Sequence, residues 1–426
     1  MTIFIFVASL LGAMALGMPL AFSLLVSGVA LMLHLDTFDT QIVSQNLING
    51  ADNFPLMAVP FFMLAGELMN AGGMSRRIVN SAMVWVGHFR GGLGYVAVFA
   101  AIIMASLSGS AVADTAALAA VLMPMMRKAG YRMDRSAGLI AAGGIIAPVI
   151  PPSIGFILFG VIGGVSISKL FMAGIFPGIL MGLALIVTWW IVARNDDVQV
   201  APRVPMAEKL KVTANAFWSY LLAITIIGGM KMGVFTPTEA AVVAVVYSLF
   251  VGLFVYREIK VKDLYQLVLN AAKTSSIVMF LVAAALVSAW LITVANIPAQ
   301  IVTLMQPFID NKMLLMAMLM LLVMIVGTAL DFAPTVLILT PVLMPLVLKA
   351  GIDPVYFGVL FIMNNAIGLI TPPVGTVLNV VCGVAKINMD TAFKGVLPFL
   401  WAQLGVLALL IAFPSIVIEP MKWMLR

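Results

Sequence analysis

The chain has 426 residues, 63% hydrophobic and only 9% charged, with a net charge of +6. Soluble domains carry about 25% charged residues, so a water-soluble enzyme or a nucleic-acid-binding protein is excluded and an integral membrane protein remains. The apolar runs are continuous rather than alternating and recur at lengths that cross about 30 Å of hydrocarbon as helices, which excludes a β-barrel.

The first run, residues 2–33, has no basic n-region and is too long for a signal peptide, so it reads as a retained span. Residues 35–54 follow, with acids but no Lys or Arg, and are placed outside. Four basic clusters are placed in the cytoplasm: Arg76, Arg77 and Arg90; Arg127, Lys128, Arg132 and Arg135; Arg194, Arg203, Lys209 and Lys211; and Arg257, Lys260 and Lys262. Segments 41–52, 74–90 and 258–273 mix polar and apolar faces and read as amphipathic arms along the membrane plane, or as plain connections.

Residues 91–126 are apolar, yet both ends carry cytoplasmic signals. The segment must enter the membrane and return, turning at Ser108-Gly109-Ser110. Non-helical backbone is tolerated there only inside protein or against a wet cavity. The next apolar segment, 136–168, contains Pro151-Pro152, which removes amide donors and breaks the helix.

The same construction recurs 221 residues later: LMPMMRKAG at 122–130 matches LMPLVLKAG at 343–351 in six of nine positions. In the same register Pro151-Pro152 matches Pro372-Pro373, Gly174 matches Gly395 and Pro177 matches Pro398. The chain therefore divides into a first repeat, 1–193, with its hairpin at about 91–130 and broken helix at about 136–168; a cytoplasmic loop and unpaired linking helix, 194–235; and a second repeat, 236–426, with its hairpin at about 312–350 and broken helix at about 354–384. The unpaired span at about 216–233 inverts the second repeat relative to the first. The expected fold is an all-α polytopic membrane protein of inverted repeats, each with a re-entrant hairpin and a Pro-broken helix. That is the pattern of secondary transporters, with the ligand near the breaks.

Sodium takes several oxygen ligands, which unwound helix ends and hydroxyls supply, while helix N-termini favour anions. The candidates for ion and substrate binding are Ser108, Gly109, Ser110, Asp114, Thr115, Pro151, Pro152 and Ser153 in the first repeat. In the second they are Asp331, Pro334, Thr335, Asn364, Asn365, Thr371, Pro372, Pro373 and Thr376. An intramembrane Ser or Thr also commonly bonds its own helix. Asp114 and Asp331 cost more to bury and do not coincide in the repeat register; each reads as an ion ligand, a proton site or a helix cap.

No GxxxxGK[ST] or HExxH motif is present, the two histidines, His34 and His88, fall in loops, and Cys382 is the sole cysteine. No catalytic residues, and no cofactor beyond a coupling ion, are expected. An intramembrane aspartyl protease built on the two aspartates lacks a GxGD motif around either. A passive anchor for a respiratory complex lacks the histidines.

SGSAVADTAA, GGIIAPVIPPSIGF, GVFTPTEAAVVAVVY, DFAPTVLILTPVLMPL and GLITPPVGTVLNVV occur in this order. Together they resemble the large membrane subunit of tripartite ATP-independent periplasmic (TRAP) transporters, the DctM-like family, over essentially the whole chain. The likeness is greatest to the branch handling sugar acids and keto-acids. The resemblance implies a sodium-coupled elevator in the bacterial inner membrane that imports a sugar acid, keto-acid or dicarboxylate. It implies two partners besides the lipid: a small four-helix membrane subunit and a periplasmic substrate-binding protein. Sodium is then expected at Ser108 and Ser110 beside Pro151-Pro152, and at Thr371 beside the second tip. No additional four-helix block precedes the first span, so the small subunit is expected as a separate polypeptide. A stand-alone sodium/dicarboxylate symporter is the nearest alternative, and dependence on a binding protein separates the two.

Overall fold

The computed structural model of the chain describes residues 2–194, 198, 200 and 202–425. Every regular element among them is helical. Among the described residues, seven helices are long and apolar enough to cross a membrane, and Met206–Asn215 with Phe217–Lys231, bent by 56° at the break between them, would make an eighth if the pair is one span. The chain is thus an all-α polytopic membrane protein. Part of the expected cytoplasmic loop, residues 195–197, 199 and 201, lies outside the described residues.

Two expectations change. The first apolar run is two helices, Thr2–Ala15 and Leu20–His34, that pack along one another. Gly17 is left-handed with φ of 82°, and Pro19 starts the second helix without an amide to donate. With 14 and 15 residues, each reaches about 21–23 Å at 1.5 Å per residue, short of the hydrocarbon thickness. Segment 258–273 is not a separate arm either. After a single turn at Val261–Asp263 it runs into Leu264–Val294, a 31-residue helix. Lys273, Gln266 and Asn270 give its first turns an amphipathic look, but no Gly or Pro interrupts it. Thr40–Ala51 and Met74–Val86 are short helices of their own, the former started by the Asp39 side chain accepting from Gln41 N at 2.7 Å.

Two pairs of helices fold back at two-residue breaks. Gly92–Ser108 is followed by Ala111–Lys128, and Lys312–Ala329 by Phe332–Lys349; within each pair the arms pack together. Each is followed by a helix that stops short of a diproline. Met133–Gly144 gives way to irregular turns through Pro151-Pro152 and resumes at Ile154–Gly163. Pro354–Gly368 gives way to Pro372-Pro373 and resumes at Thr376–Ala385. Both diproline bonds are cis. The two long helices that follow are Ile167–Ala193 and Met389–Ala412.

The two halves interlock rather than stand side by side. The second arm of the first hairpin, Ala111–Lys128, packs on Thr376–Ala385 of the second half, and Phe332–Lys349 packs on Ile154–Gly163 of the first. In the same reciprocal way Met133–Gly144 lies along Met389–Ala412, and Pro354–Gly368 along Ile167–Ala193. Residues in equivalent register do equivalent work: Arg135 Nη1 donates to Val192 O, and Tyr356 OH to Leu410 O, each at 2.9 Å. Phe159 packs across the halves against Phe357 and Phe361 in tilted contacts, with ring centres 6.1 and 5.6 Å apart. In lipid such rings gain nothing from leaving water, so dense van der Waals contact supplies the cohesion.

A second group of helices, Leu20–His34, Thr40–Ala51, Ala58–Ala71, Pro237–Phe250 and Leu264–Val294, packs among itself. This frame meets the hairpin body where Leu264–Val294 touches Phe332–Lys349 and where Ala58–Ala71 touches Gly92–Ser108, and the short helix Met74–Val86 packs on both Ala58–Ala71 and Gly92–Ser108.

Candidate functional site

The first tip is shaped by glycine. Gly109 has φ of 63°, and a Cβ placed on it would stand 2.2 Å from the Pro152 carbonyl oxygen. Only glycine allows both the left-handed turn and this approach of the tip to the first helix break. Ser110 caps the second arm, its Oγ accepting from Ala113 N at 3.4 Å. Ser108 Oγ donates to Asp114 Oδ1 at 2.5 Å and accepts from Ser110 N at 3.2 Å. Asp114 is 2% exposed, and its Oδ2 has no hydrogen-bond partner. Next to it Thr115 Oγ1, also buried and unpartnered, lies against Gly144 of the broken helix. Ser110, not Asp114, is the cap. Ser153 is committed locally: its Oγ donates to Pro148 O and accepts from Phe156 N, starting the resumed helix.

The second tip is built differently. Asp331 occupies the cap position of Phe332–Lys349, the register position of Ser110, yet bonds no amide of that helix. Its carboxylate is exposed, and Oδ1 accepts from Thr376 Oγ1 at 3.3 Å across the second break. Val374 N donates to Thr328 O at 3.3 Å, tying the same break to the same tip. Thr335 and Thr371 donate to carbonyls of their own helices, Asp331 O and Ile367 O, each at 3.0 Å. Pro334 is buried within the second arm, and Pro372 and Pro373 line the break beside Val374.

Asn364 and Asn365 are fully buried. Asn364 Nδ2 donates to Met320 O, and Asn365 Nδ2 to Phe332 O at 2.8 Å, while both Oδ1 atoms lack partners. Asn365 thus holds the start of the second arm from behind. Asn365→Ala is expected to cost about 1–3 kcal/mol by releasing that carbonyl. A thermal melt of purified protein checks this; an unchanged melting temperature would show that the bond carries no weight.

The two tips meet. A cavity of about 160 Å³ is walled by Gly109, Ser110 and Val112 from the first and by Asp331, Phe332 and Ala333 from the second. Met63 and Val278 of the frame close one side. Its lining contains no Lys or Arg, and Asp331 is its only charged group. Asp114, Thr115, Asn364 and Asn365 stand behind this wall rather than in it, and Asp114 and Asp331 bond to different partners. The space holds about five waters at roughly 30 Å³ each, so a larger solute enters only if the tips part.

Sequence reasoning missed Glu67. It lies in the span Phe54–Ala71 and lines a second, smaller cavity beside Ser108 and Ser110. A lone acid inside PFFMLAGELMN was the available signal.

Residues 7–416 match the family described as "Tripartite ATP-independent periplasmic transporter, DctM component". The chain is 56% identical over 423 residues to the 2,3-diketo-L-gulonate TRAP transporter large permease protein of Escherichia coli (strain K12), covering 99% of this chain and 100% of that one. It is 37% identical to the sialic acid TRAP transporter large permease protein of Vibrio cholerae serotype O1, covering 95% of each. Among solved structures it resembles the YdaH transporter of Alcanivorax borkumensis with a TM-score of 0.62, at 14% identity and with 87% and 86% of the two chains covered, a likeness of fold.

Proposed function

Because the chain belongs to the DctM component family of tripartite ATP-independent periplasmic transporters, we propose that it is the large membrane subunit of a sodium-coupled importer of a small organic acid. The cargo is proposed to be a keto sugar acid like the one named for the 56%-identical relative. It is handed over by a periplasmic binding protein, and the chain works in the inner membrane with a separate small four-helix subunit.

One observation carries the sodium reading: the cavity between the tips holds a carboxylate and no basic residue. A cargo anion about 5 Å from Asp331 is opposed by roughly 3 kcal/mol at an effective dielectric of 20. A cation bound among the tip hydroxyls and carbonyls removes that opposition, so cargo and ion enter together. The helices starting at Ala111 and Phe332 turn their N-termini to the same place and favour the anion. Ser108, Ser110 and the buried Asp114 oxygen offer an ion site at the first tip; Thr371, Thr376 and the carbonyls near Pro372-Pro373 offer one at the second. The division into a hairpin body and a frame supports an elevator, in which inverted repeats carry the tips across as one unit.

The test is thermal unfolding of the purified chain against sodium, at constant ionic strength set by choline. A saturable rise is expected, about 2.7 kcal/mol at a hundredfold excess over the dissociation constant, and smaller in Ser110→Ala and Thr371→Ala. A flat response in the unmodified chain removes the sodium reading.

A further inference from the structure

The smaller cavity, about 90 Å³, lies between the first tip and the frame and is lined by Gly66, Glu67, Asn70, Thr274, Ser108 and Ser110, among others. We propose that it is an outer site for a partly hydrated monovalent cation, with Glu67 as its charged ligand, through which the ion held at the first tip reaches the basic face of the protein. This inference rests on the sodium-coupled reading above.

Glu67 is half-buried in an apolar span and has no hydrogen-bonding or ionic partner among the described residues. A carboxylate placed in a span without a partner is costly to keep, which argues for a ligand that comes and goes. The cavity accommodates about three waters at roughly 30 Å³ each: enough for a cation that keeps part of its shell and too little for an organic acid. Asn70 and Thr274 add oxygens on either side. Asn70 Oδ1 accepts from Ser75 Oγ at 2.5 Å, and Thr274 Oγ1 donates to Asn270 O at 3.0 Å, so each is held in place and retains free lone pairs.

The cavity leads inward to the tip. A Cβ on Gly66 would lie only 3.6 Å from Ser108 Cβ, so the tip rests directly on this helix. Behind Ser108 stands the buried, unpartnered Oδ2 of Asp114. Glu67 and Ser108 line the same cavity and Ser108 bonds Asp114, so the oxygens run from the frame into the hairpin. In the other direction the helix ends at Ala71, and Arg76 and Arg77 follow. Ala271 and Thr274, also in the lining, lie in the first turns of Leu264–Val294, the helix that follows Lys260 and Lys262. Two of the cavity's lining helices thus join the basic segments assigned to the cytoplasm, the side to which an importer releases its ion.

A site that leaves the cation partly hydrated discriminates weakly between sodium and potassium, whereas a dehydrated tip site discriminates strongly. The full chain is titrated with sodium chloride, reading the melting temperature, in a choline background and in a potassium background of equal ionic strength. Potassium in the outer site repels sodium from the tip, so the half-saturating sodium concentration is expected to be about fivefold higher in potassium than in choline. In Glu67→Gln the two backgrounds coincide. Glu67→Asp, which keeps the charge, retains the difference and shows that its loss in the glutamine variant is not misfolding. Equal midpoints in the unmodified chain, or a potassium effect that persists in Glu67→Gln, overturn the outer site while leaving the sodium reading intact. A chain indifferent to sodium overturns both.

Discussion

Asp331→Asn is expected to lower sodium-driven uptake about 100-fold while leaving the melting temperature without sodium nearly unchanged, because removing one charge about 6 Å from a bound cation costs near 2.7 kcal/mol at an effective dielectric of 20. The two halves of this expectation have separate causes. Asp331 sits at a helix cap position but donates nothing to stability there, since no amide of its helix bonds the side chain. Asparagine is as good a cap as aspartate, and its carbonyl can still accept from Thr376. What the substitution removes is the only charge in the wall where the tips meet. Uptake of the proposed keto sugar acid cargo into proteoliposomes, with the proposed binding protein supplied outside, measures the first half; a melt measures the second. Full uptake by the variant would show that the tip carboxylate plays no part in coupling. A collapsed melt would show that it is structural.

Gly138→Val is expected to have the largest effect on stability, a loss of about 3 kcal/mol or more. A Cβ at Gly138 would stand 2.4 Å from the carbonyl carbon and oxygen of Gly395, and one at Gly395 would stand 2.0 Å from Asp134 O. These are backbone atoms of two packed helices, Met133–Gly144 and Met389–Ala412, and no rotamer change relieves the contact. The helices must separate, and close packing of small residues is what holds helices together in lipid. The better helix propensity of valine recovers only about 0.5 kcal/mol. Gly405, on the same long helix, has nothing within 4 Å of an added Cβ, so Gly405→Ala serves as a control and is expected to be neutral or slightly stabilising. Equal melting temperatures for Gly138→Val and Gly405→Ala would show that the helices have slack that the packing distances deny.

The parts of this fold legible in the sequence are those fixed by local chemistry. Proline cannot donate, so Pro151-Pro152 and Pro372-Pro373 mark where helices stop whatever surrounds them. The 221-residue register is a property of the letters alone. It also matches Asp331 to Ser110, and the structure puts both at the cap position of a second arm. The split at Gly17 and Pro19 was legible by the same rule, but the length of the apolar run outweighed it.

What could not be read is set by distant partners. Nothing near Glu67 announces that the tip at Ser108 will rest on Gly66 beside it. Thr371 and Thr376 look alike in sequence, yet one bonds its own helix and the other reaches Asp331. Asn364 and Asn365 are candidates in sequence because they stand near the second break; that their amide groups hold backbone carbonyls of the hairpin they pack on is set by that distant hairpin.

The interlocking of the halves sets a timetable for biogenesis. Ala111–Lys128 has its long-range partner at Thr376–Ala385, and the whole chain from 129 to 375 is made between them. At about 5–20 residues per second, the first hairpin waits roughly 12–50 s on the membrane before the surface it packs against exists. During that interval its polar tip has only the nearby first break and the frame helices to shield it from lipid. Insertion of the first half must therefore yield a provisional arrangement that later opens to admit the second. A ribosome that stops before the second diproline leaves not half a transporter but an unfinished one, and quality control in the membrane has that long window in which to remove it.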